Sequence, residues 1–406
     1  MSNSVMFSFP RTVFLLLVLT LAGLAWWLLP SPTRLAGSPE LDLVSEGVLH
    51  ENVLYLSTRT TSAGSEVYAF DLATGNWTLA ADAVPSEETM PRGLTRWQDR
   101  LFFTSLYPDA HAIYAFTPDS ARTHDVQTVS DAALVKHPRL LGGHGRRLLA
   151  SSLAEDTYTL LALGAELLQV DNSSMYLRVE DDAFEPVATL DLGLFSRDEP
   201  DALAWHEGRL FLEANGGLAA VDLDAGLENA PVEVVAPLEH IGVDGMHLRT
   251  FASTPHGLFF TTAGRTNAST LYRYTAEAGV EPVLELSPAG AIALHELTWL
   301  DGQLFVTADE ADGESEPNRV LYALDPATGG LHLIHAGNPG QLLSAGLGLY
   351  FVADAPLLGR QVYVYEGSTA RRLTRGRWST DGPKLLDEVG AYVYFSAGGR
   401  LHRAER

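Results

Sequence analysis

The chain has 406 residues, no cysteine, and 51 acidic against 27 basic side chains, for a formal charge of −24. That charge repels phosphate backbones and argues against nucleic acid as a partner, and the missing thiols exclude disulfides, thiolate metal centres, cysteine nucleophiles and lipid on an N-terminal cysteine. With 46% apolar, 9% aromatic and 19% charged residues, the composition is that of a packed protein and not of a disordered acidic chain.

Residues 1–12 end on Arg11-Thr12, and residues 13–30 follow as an uncharged run of mainly Leu, Val, Phe, Ala and Trp. At 1.5 Å per residue, about 20 such residues cross a bilayer core. Trp26 and Trp27 lie near its far end, where indoles favour the membrane interface. Arg11 precedes the run, whereas Glu40, Asp42, Glu46 and Glu51 follow Arg34. This asymmetry predicts residues 1–12 in the cytoplasm, 13–30 as a single-pass transmembrane helix or signal anchor, and the remainder exported. Gly23-Leu24-Ala25 leaves open a cleaved signal peptide, giving a secreted or periplasmic protein. The apolar run continues through Trp26-Trp27-Leu28-Leu29 past that point, which favours retention in the cell membrane. Residues 31–37 read as a linker, and 38–406 as the exported domain.

That domain is built from a repeat. A short apolar strand recurs from Leu54, Leu101, Leu148, Leu210, Leu258, Leu304, Leu349 and Val393, typified by Leu101-Phe102-Phe103-Thr104-Ser105 and Leu258-Phe259-Phe260-Thr261-Thr262, with spacings of 47, 47, 62, 48, 46, 45 and 44. A period in the mid-forties predicts four-stranded blades of a β-propeller. A second strand follows most copies, as in Val67-Tyr68-Ala69-Phe70 and Leu321-Tyr322-Ala323-Leu324. Twice it runs into Asp-x-x-Thr-Gly, at Asp71 to Gly75 and Asp325 to Gly329, where Asp caps a turn and Gly supplies positive φ. A third strand such as Trp77-Thr78-Leu79-Ala80 comes next, and a preceding strand ending in Trp97, Trp205 or Trp299 completes the blade. These tryptophans occupy matching places and are expected to pack between blades. The fold class is therefore all-β, a single propeller of about eight four-stranded blades, with seven possible.

Two stretches depart from the pattern. The last copy, Pro383 to Arg406, supplies about three strands, so a strand within Gly37 to Val44 is expected to complete it and remove an open sheet edge. In the third repeat Glu155 to Ser174 reads as an insertion, with Leu160, Leu161, Leu163, Leu167 and Leu168 placed for one face of a short helix or for an extra hairpin. The repeats Val67 to Gly75 and Leu321 to Gly329 resemble PQQ-type and kelch-type repeats of bacterial β-propellers. The resemblance stays at repeat level: the closing tryptophan of PQQ repeats, the kelch Gly-Gly pair, sialidase Asp-boxes and the Trp-Asp ending of WD repeats are all missing.

On a propeller, the loops leading into each innermost strand share one face with the loops joining second and third strands, and ligands bind there by analogy of fold. These loops carry Glu87, Glu88, Asp198, Glu199, Asp201, Glu239, His240, Asp244, His247, His295, Glu296, Asp309, Asp312, Glu314, Glu316 and Asp381. Oxygen and imidazole ligands suit a divalent cation such as Ca²⁺ or a transition metal, with Asp201, Asp244, His247, His295 and Glu296 the candidate metal set. A solvated acidic rim explains the same residues. His50, His144 and His206 fall on the opposite face. No nucleophile elbow, zinc-protease helix, Walker loop or dinucleotide fingerprint is present. The expectation is a membrane-anchored binding or scaffold module for a protein, peptide or glycan, with a metal-assisted hydrolase or lactonase at the channel mouth as the alternative.

Overall fold

The computed structural model describes residues 33–35, 47–60, 64–82, 90–105, 112–118, 127–128, 139–144, 147–154, 157–164, 185–190, 203–214, 217–222, 232–237, 247–263, 270–285, 293–310, 318–346, 348–378 and 382–406. The apolar run 13–30 and the stretch 37–44 lie outside them. Among the described residues all regular structure is β-strand, and no helix is long and apolar enough to cross a membrane.

The strands form eight four-stranded antiparallel sheets among the described residues. β1 (Thr33–Arg34) stands apart from the first sheet, which holds β2 (Gly47–His50), β3 (Val53–Thr60), β4 (Gly64–Asp71) and β5 (Trp77–Ala81). The second holds β6 (Pro91–Trp97), β7 (Arg100–Ser105), β8 (Ile113–Phe116) and β9 (Gln127–Thr128); the third, β10 (Arg139–His144), β11 (Arg147–Ala154), β12 (Thr157–Gly164) and β13 (Glu185–Leu190). The fourth holds β14 (Leu203–His206), β15 (Arg209–Ala214), β16 (Gly217–Asp222) and β17 (Val232–Pro237); the fifth, β18 (His247–Thr254), β19 (Gly257–Ala263), β20 (Thr270–Thr275) and β21 (Gly279–Glu285). The sixth holds β22 (Leu294–Leu300), β23 (Gln303–Glu310), β24 (Asn318–Leu324) and β25 (Leu331–Ala336); the seventh, β26 (Gly340–Ala345), β27 (Gly348–Ala355), β28 (Gly359–Tyr365) and β29 (Ala370–Arg372). The eighth is β30 (Lys384–Val389), β31 (Tyr392–Ala397) and β32 (Arg400–Glu405), with β1 as its fourth strand.

First strands pack against first strands: β2 on β6, β6 on β10, β14 on β18, β18 on β22, β22 on β26, β26 on β30, and β30 back on β2. The core lies between sheets rather than within one. Phe211, Leu218 and Ala220 of the fourth sheet share a cluster with Leu258, Phe260 and Tyr272 of the fifth, while Ala252, Phe259 and Leu271 of the fifth share the next with Leu304, Val306 and Val320 of the sixth. Phe305 and Leu321 then meet Phe351 and Tyr363 of the seventh, and Tyr350 and Val362 meet Val393 and Phe395 of the eighth. Leu35, Tyr394 and Leu401 of the last sheet close onto Leu54, Leu56 and Phe70 of the first. This is β-propeller architecture. Central strands covered on both faces read as continuous apolar runs instead of alternating ones. Trp299 packs in the cluster shared by the fifth and sixth sheets and meets His256 of the fifth edge-on at 5.8 Å.

The strand completing the last sheet is Thr33–Arg34, not the 37–44 stretch: Thr33 pairs with Arg403 and Arg34 with His402. A two-residue strand leaves no pattern to read. The third repeat is also corrected. Thr157–Gly164 is neither helix nor extra hairpin but the regular third strand of its sheet, paired to β11 along its whole length. The extra length therefore falls in 165–184, between β12 and β13.

Candidate functional site

The upper face, where first strands begin and second strands turn into third, is shaped by a repeated irregularity. Register shifts interrupt β6, β10, β18, β22, β26 and β30 near their upper ends. A bulge releases backbone groups from the ladder and re-aims side chains. In β22 the bulge is His295 and Glu296, between Leu294 and Leu297. These two neighbours engage different partners.

His295 turns to its own sheet. Its Nε2 lies 2.7 Å from Asp309 Oδ2 on β23 and 3.0 Å from an Arg319 guanidinium nitrogen on β24, while Arg319 Nε donates to Asp309 Oδ1 at 2.8 Å. One ring nitrogen thus faces an acceptor and a donor: protonated, it donates to Asp309; unprotonated, it accepts from Arg319. Partial burial works against ionisation of Asp309, but the hydrogen bonds and charges of Arg319 and His295 outweigh it and hold the carboxyl below the usual carboxylate range. Beside them Tyr322 donates to Glu310, and burial together with that carboxylate pushes the phenol up to about 12, so it stays a neutral donor.

Glu296 turns to the next sheet. Its carboxylate accepts from the amides of Gln341, at 3.0 Å, and Leu342, at 2.8 Å, the two bulge residues of β26. Gly340 leaves room for this approach, since a Cβ there would sit 3.1 Å from Glu296 Oε1. The same device recurs: Glu213 accepts from the Leu248 amide at 2.6 Å, Gln341 Oε1 from the Leu385 amide at 3.1 Å, and Ser57 donates to the Pro91 carbonyl. Polar side chains of one sheet therefore secure the backbone at the upper end of the next first strand.

The polar line continues outward. Asn338, in the left-handed region at φ 53°, accepts from the Arg319 amide at 3.1 Å and donates to Asp354 Oδ2 at 2.9 Å. Four residues past Asp354, Leu358 N donates to Ala355 O at 3.1 Å, closing a turn with Pro356 and Leu357 at its centre. Leu357 sits at φ 66°, where such a turn ordinarily takes glycine, and is 93% exposed, while Leu358 is buried.

Of the candidate metal set, Asp201 and Asp244 lie outside the described residues, as do Glu87, Glu88, Asp198, Glu199, Glu239, His240, Asp312, Glu314, Glu316 and Asp381. His247 opens β18, its backbone opposite Ala263. His295 and Glu296 diverge as above, and among the described residues no three His, Asp or Glu side chains gather to hold a metal ion. His206 ends β14 on the lower face, where its Nδ1 lies 3.1 Å from Ser253 Oγ of the next sheet and burial lowers its basicity against the opposing charge of Glu207. Arg319, Asn338, Asp354 and Leu357 went unnoticed in the sequence; Pro356 followed by two leucines and Gly359, at the end of an apolar strand, is the only cue that marks any of them.

No known protein family matches the sequence, and no curated protein does. Solved structures similar in fold include the β-propeller domain of the Trilobed protease from Pyrococcus furiosus, at 12% identity and TM-score 0.48 over 82% of this chain and 97% of that one. YCF48 bound to D1 peptide is similar at 10% identity and TM-score 0.47, over 93% and 98%. Puromycin hydrolase is similar at 13% identity and TM-score 0.46 over 90% of this chain, which spans only 58% of that enzyme.

Proposed function

We propose that the eight sheets are the blades of one eight-bladed propeller, held outside the cytoplasm by residues 13–30, whose upper face binds a protein or peptide partner around Leu357. The observation that carries this is Leu357 itself. A single exposed leucine is ordinary. One that is 93% exposed and also held at φ 66° combines backbone strain with exposed apolar surface, and neither stabilises the free protein. Burial against a partner offsets both. The line Asp354, Asn338, Arg319 and Asp309 beside it supplies donors and acceptors of both signs, the polar rim that surrounds an apolar contact.

The test places a photo-crosslinking residue at Leu357 and, as a control, at Asp301 on the lower face, in the full chain within the membranes of its own cells. An adduct formed from position 357, absent from 301 and lost when Arg319 is changed to Glu, supports the proposal. Equal labelling from both positions overturns it. A metal-assisted hydrolase that drew on Glu296 would have to take it from the Gln341 and Leu342 amides, leaving donors of a bulge without acceptors.

A further inference from the structure

The place of β1 fixes which face of the propeller looks toward the lipid. β1 is antiparallel to β32, with Thr33 opposite Arg403 and Arg34 opposite His402, so the chain runs from the lower toward the upper face as it passes from 33 to 35. Leu35 continues that course, its amide reaching Leu401 O. The polypeptide preceding Thr33 therefore joins the sheet from the lower side. The other end of the chain is there too: the Arg406 amide donates to Ala391 O in the lower turn between β30 and β31, and its guanidinium pairs with Glu366 and Glu388.

Only Ser31-Pro32 separates the apolar run 13–30, which itself ends on Pro30, from β1. At no more than about 3.6 Å per residue, the four steps from Leu29 to Thr33 span at most roughly 14 Å, and two fixed proline φ angles leave little slack. A six-residue strand is about 20 Å long. Thr33, opposite Arg403, stands about 7 Å from the lower end of β32 at Glu405 and about 10 Å from its upper end at Arg400, so the tether meets the bilayer directly from the lower side, whereas meeting it from the upper side would require the chain before Thr33 to double back along β32.

We infer that the lower face of the last sheet lies against a lipid surface, and that the upper face, with Leu357 and the His295–Asp309–Arg319 cluster, is directed away from it. The inference rests on residues 13–30 being a retained anchor, and the test separates the two. Because the chain has no cysteine, single thiols can be introduced at will. Lys384→Cys and Ala391→Cys put exposed labels at the upper and lower ends of the same sheet. Each full-length variant is labelled with a fluorophore and reconstituted in phosphatidylcholine vesicles doped with a lipid carrying a headgroup nitroxide, which quenches only at close range.

The expected result is co-flotation of both variants, with quenching at 391 at least threefold stronger than at 384. Stronger quenching at 384, or equal quenching at both, overturns the orientation while leaving the anchor intact. Failure to float overturns anchor and orientation together. Leu35→Pro, which removes the amide that donates to Leu401 O, is the control for mechanism: it is expected to bring the two signals closer without abolishing flotation, and an unchanged ratio counts against the β1–β32 pairing as the orienting element.

Discussion

Changing Glu296 to Ala removes the acceptor for two amides in the bulge of β26, and the cost follows from the geometry. Bonds from neutral donors to a charged group contribute about 1.5–3 kcal/mol each. The Gln341 bond is exposed and the Leu342 bond half-buried, so about 1 and about 2 kcal/mol are appropriate, or about 3 kcal/mol together. Glu296→Gln keeps one carbonyl acceptor but turns an NH2 toward the other amide, and should cost about half as much. Urea unfolding followed by tryptophan fluorescence, with Trp299 three residues along the same strand, measures both variants. The midpoint should fall with the slope unchanged, in the order wild type, Gln, Ala. An Ala variant within about 0.5 kcal/mol of wild type, or one more stable than the Gln variant, would refute the role of Glu296 as a clamp between sheets. A carboxylate held ready for a metal predicts the opposite sign, because its removal relieves repulsion in an acidic mouth.

Leu357→Gly should stabilise the isolated protein by about 0.5–1 kcal/mol, since glycine adopts positive φ without the penalty a leucine incurs, while lowering crosslink yield at the upper face. Stability should also fall on mild acidification. Burial lowers the basicity of His206 and His402 in the fold, so the unfolded chain takes up protons near the ordinary 6.5 while the folded one resists, and stability present above that pH is lost as pH drops through the folded values. His402→Phe, whose ring can keep the 5.5 Å stack on Phe395, should flatten part of that loss in melting curves between about pH 7 and 5; an unchanged slope would count against it. Further acidification reaches Asp309, whose contribution is present above the ordinary 3.8 and disappears as pH falls through its lower folded value, so Asp309→Asn should be less stable at neutral pH and less acid-sensitive below about pH 4. A fragment beginning at Gly37 lacks β1 and Leu35, leaves β32 as an open edge, and should self-associate and melt lower than one beginning at Pro32, by about 2 kcal/mol for the lost leucine burial alone.

The sequence made the repeat visible because a strand packed on both sides must be apolar throughout, and runs such as Leu101 to Ser105 stand out wherever they recur. The turns at Asp71 and Asp325 were equally legible, since capping is local: Asp71 Oδ1 accepts from the Ala73 amide at 2.8 Å, Asp325 from Ala327 at 2.9 Å, and Gly75 and Gly329 have φ near 70°. The same apolar density misled in the third repeat, where Leu160, Leu161 and Leu163 satisfy a helical spacing as well as a doubly covered strand. What stayed hidden depends on distance along the chain. Glu296 meets residues 45 and 46 positions away, and Glu213 one 35 away, so nothing near either marks it as a clamp. His295 and Glu296, adjacent in sequence and alike as metal ligands, part because a bulge aims consecutive side chains in different directions.

The pairing of β1 with β32 has a kinetic consequence. Among the described residues every sheet but the last is built from four strands consecutive in sequence, so successive sheets can form in order as the polypeptide emerges from synthesis. Thr33 and Arg34 are made early, yet their partners Arg403 and His402 follow about 370 residues later, and the sheets that hold Leu35 and Leu54 wait for each other over a similar span. During that interval the earliest strand has no ladder to join. The anchor proposed above, ending two residues upstream, would hold it in place for β32 to find, turning a slow search through solution into a local one.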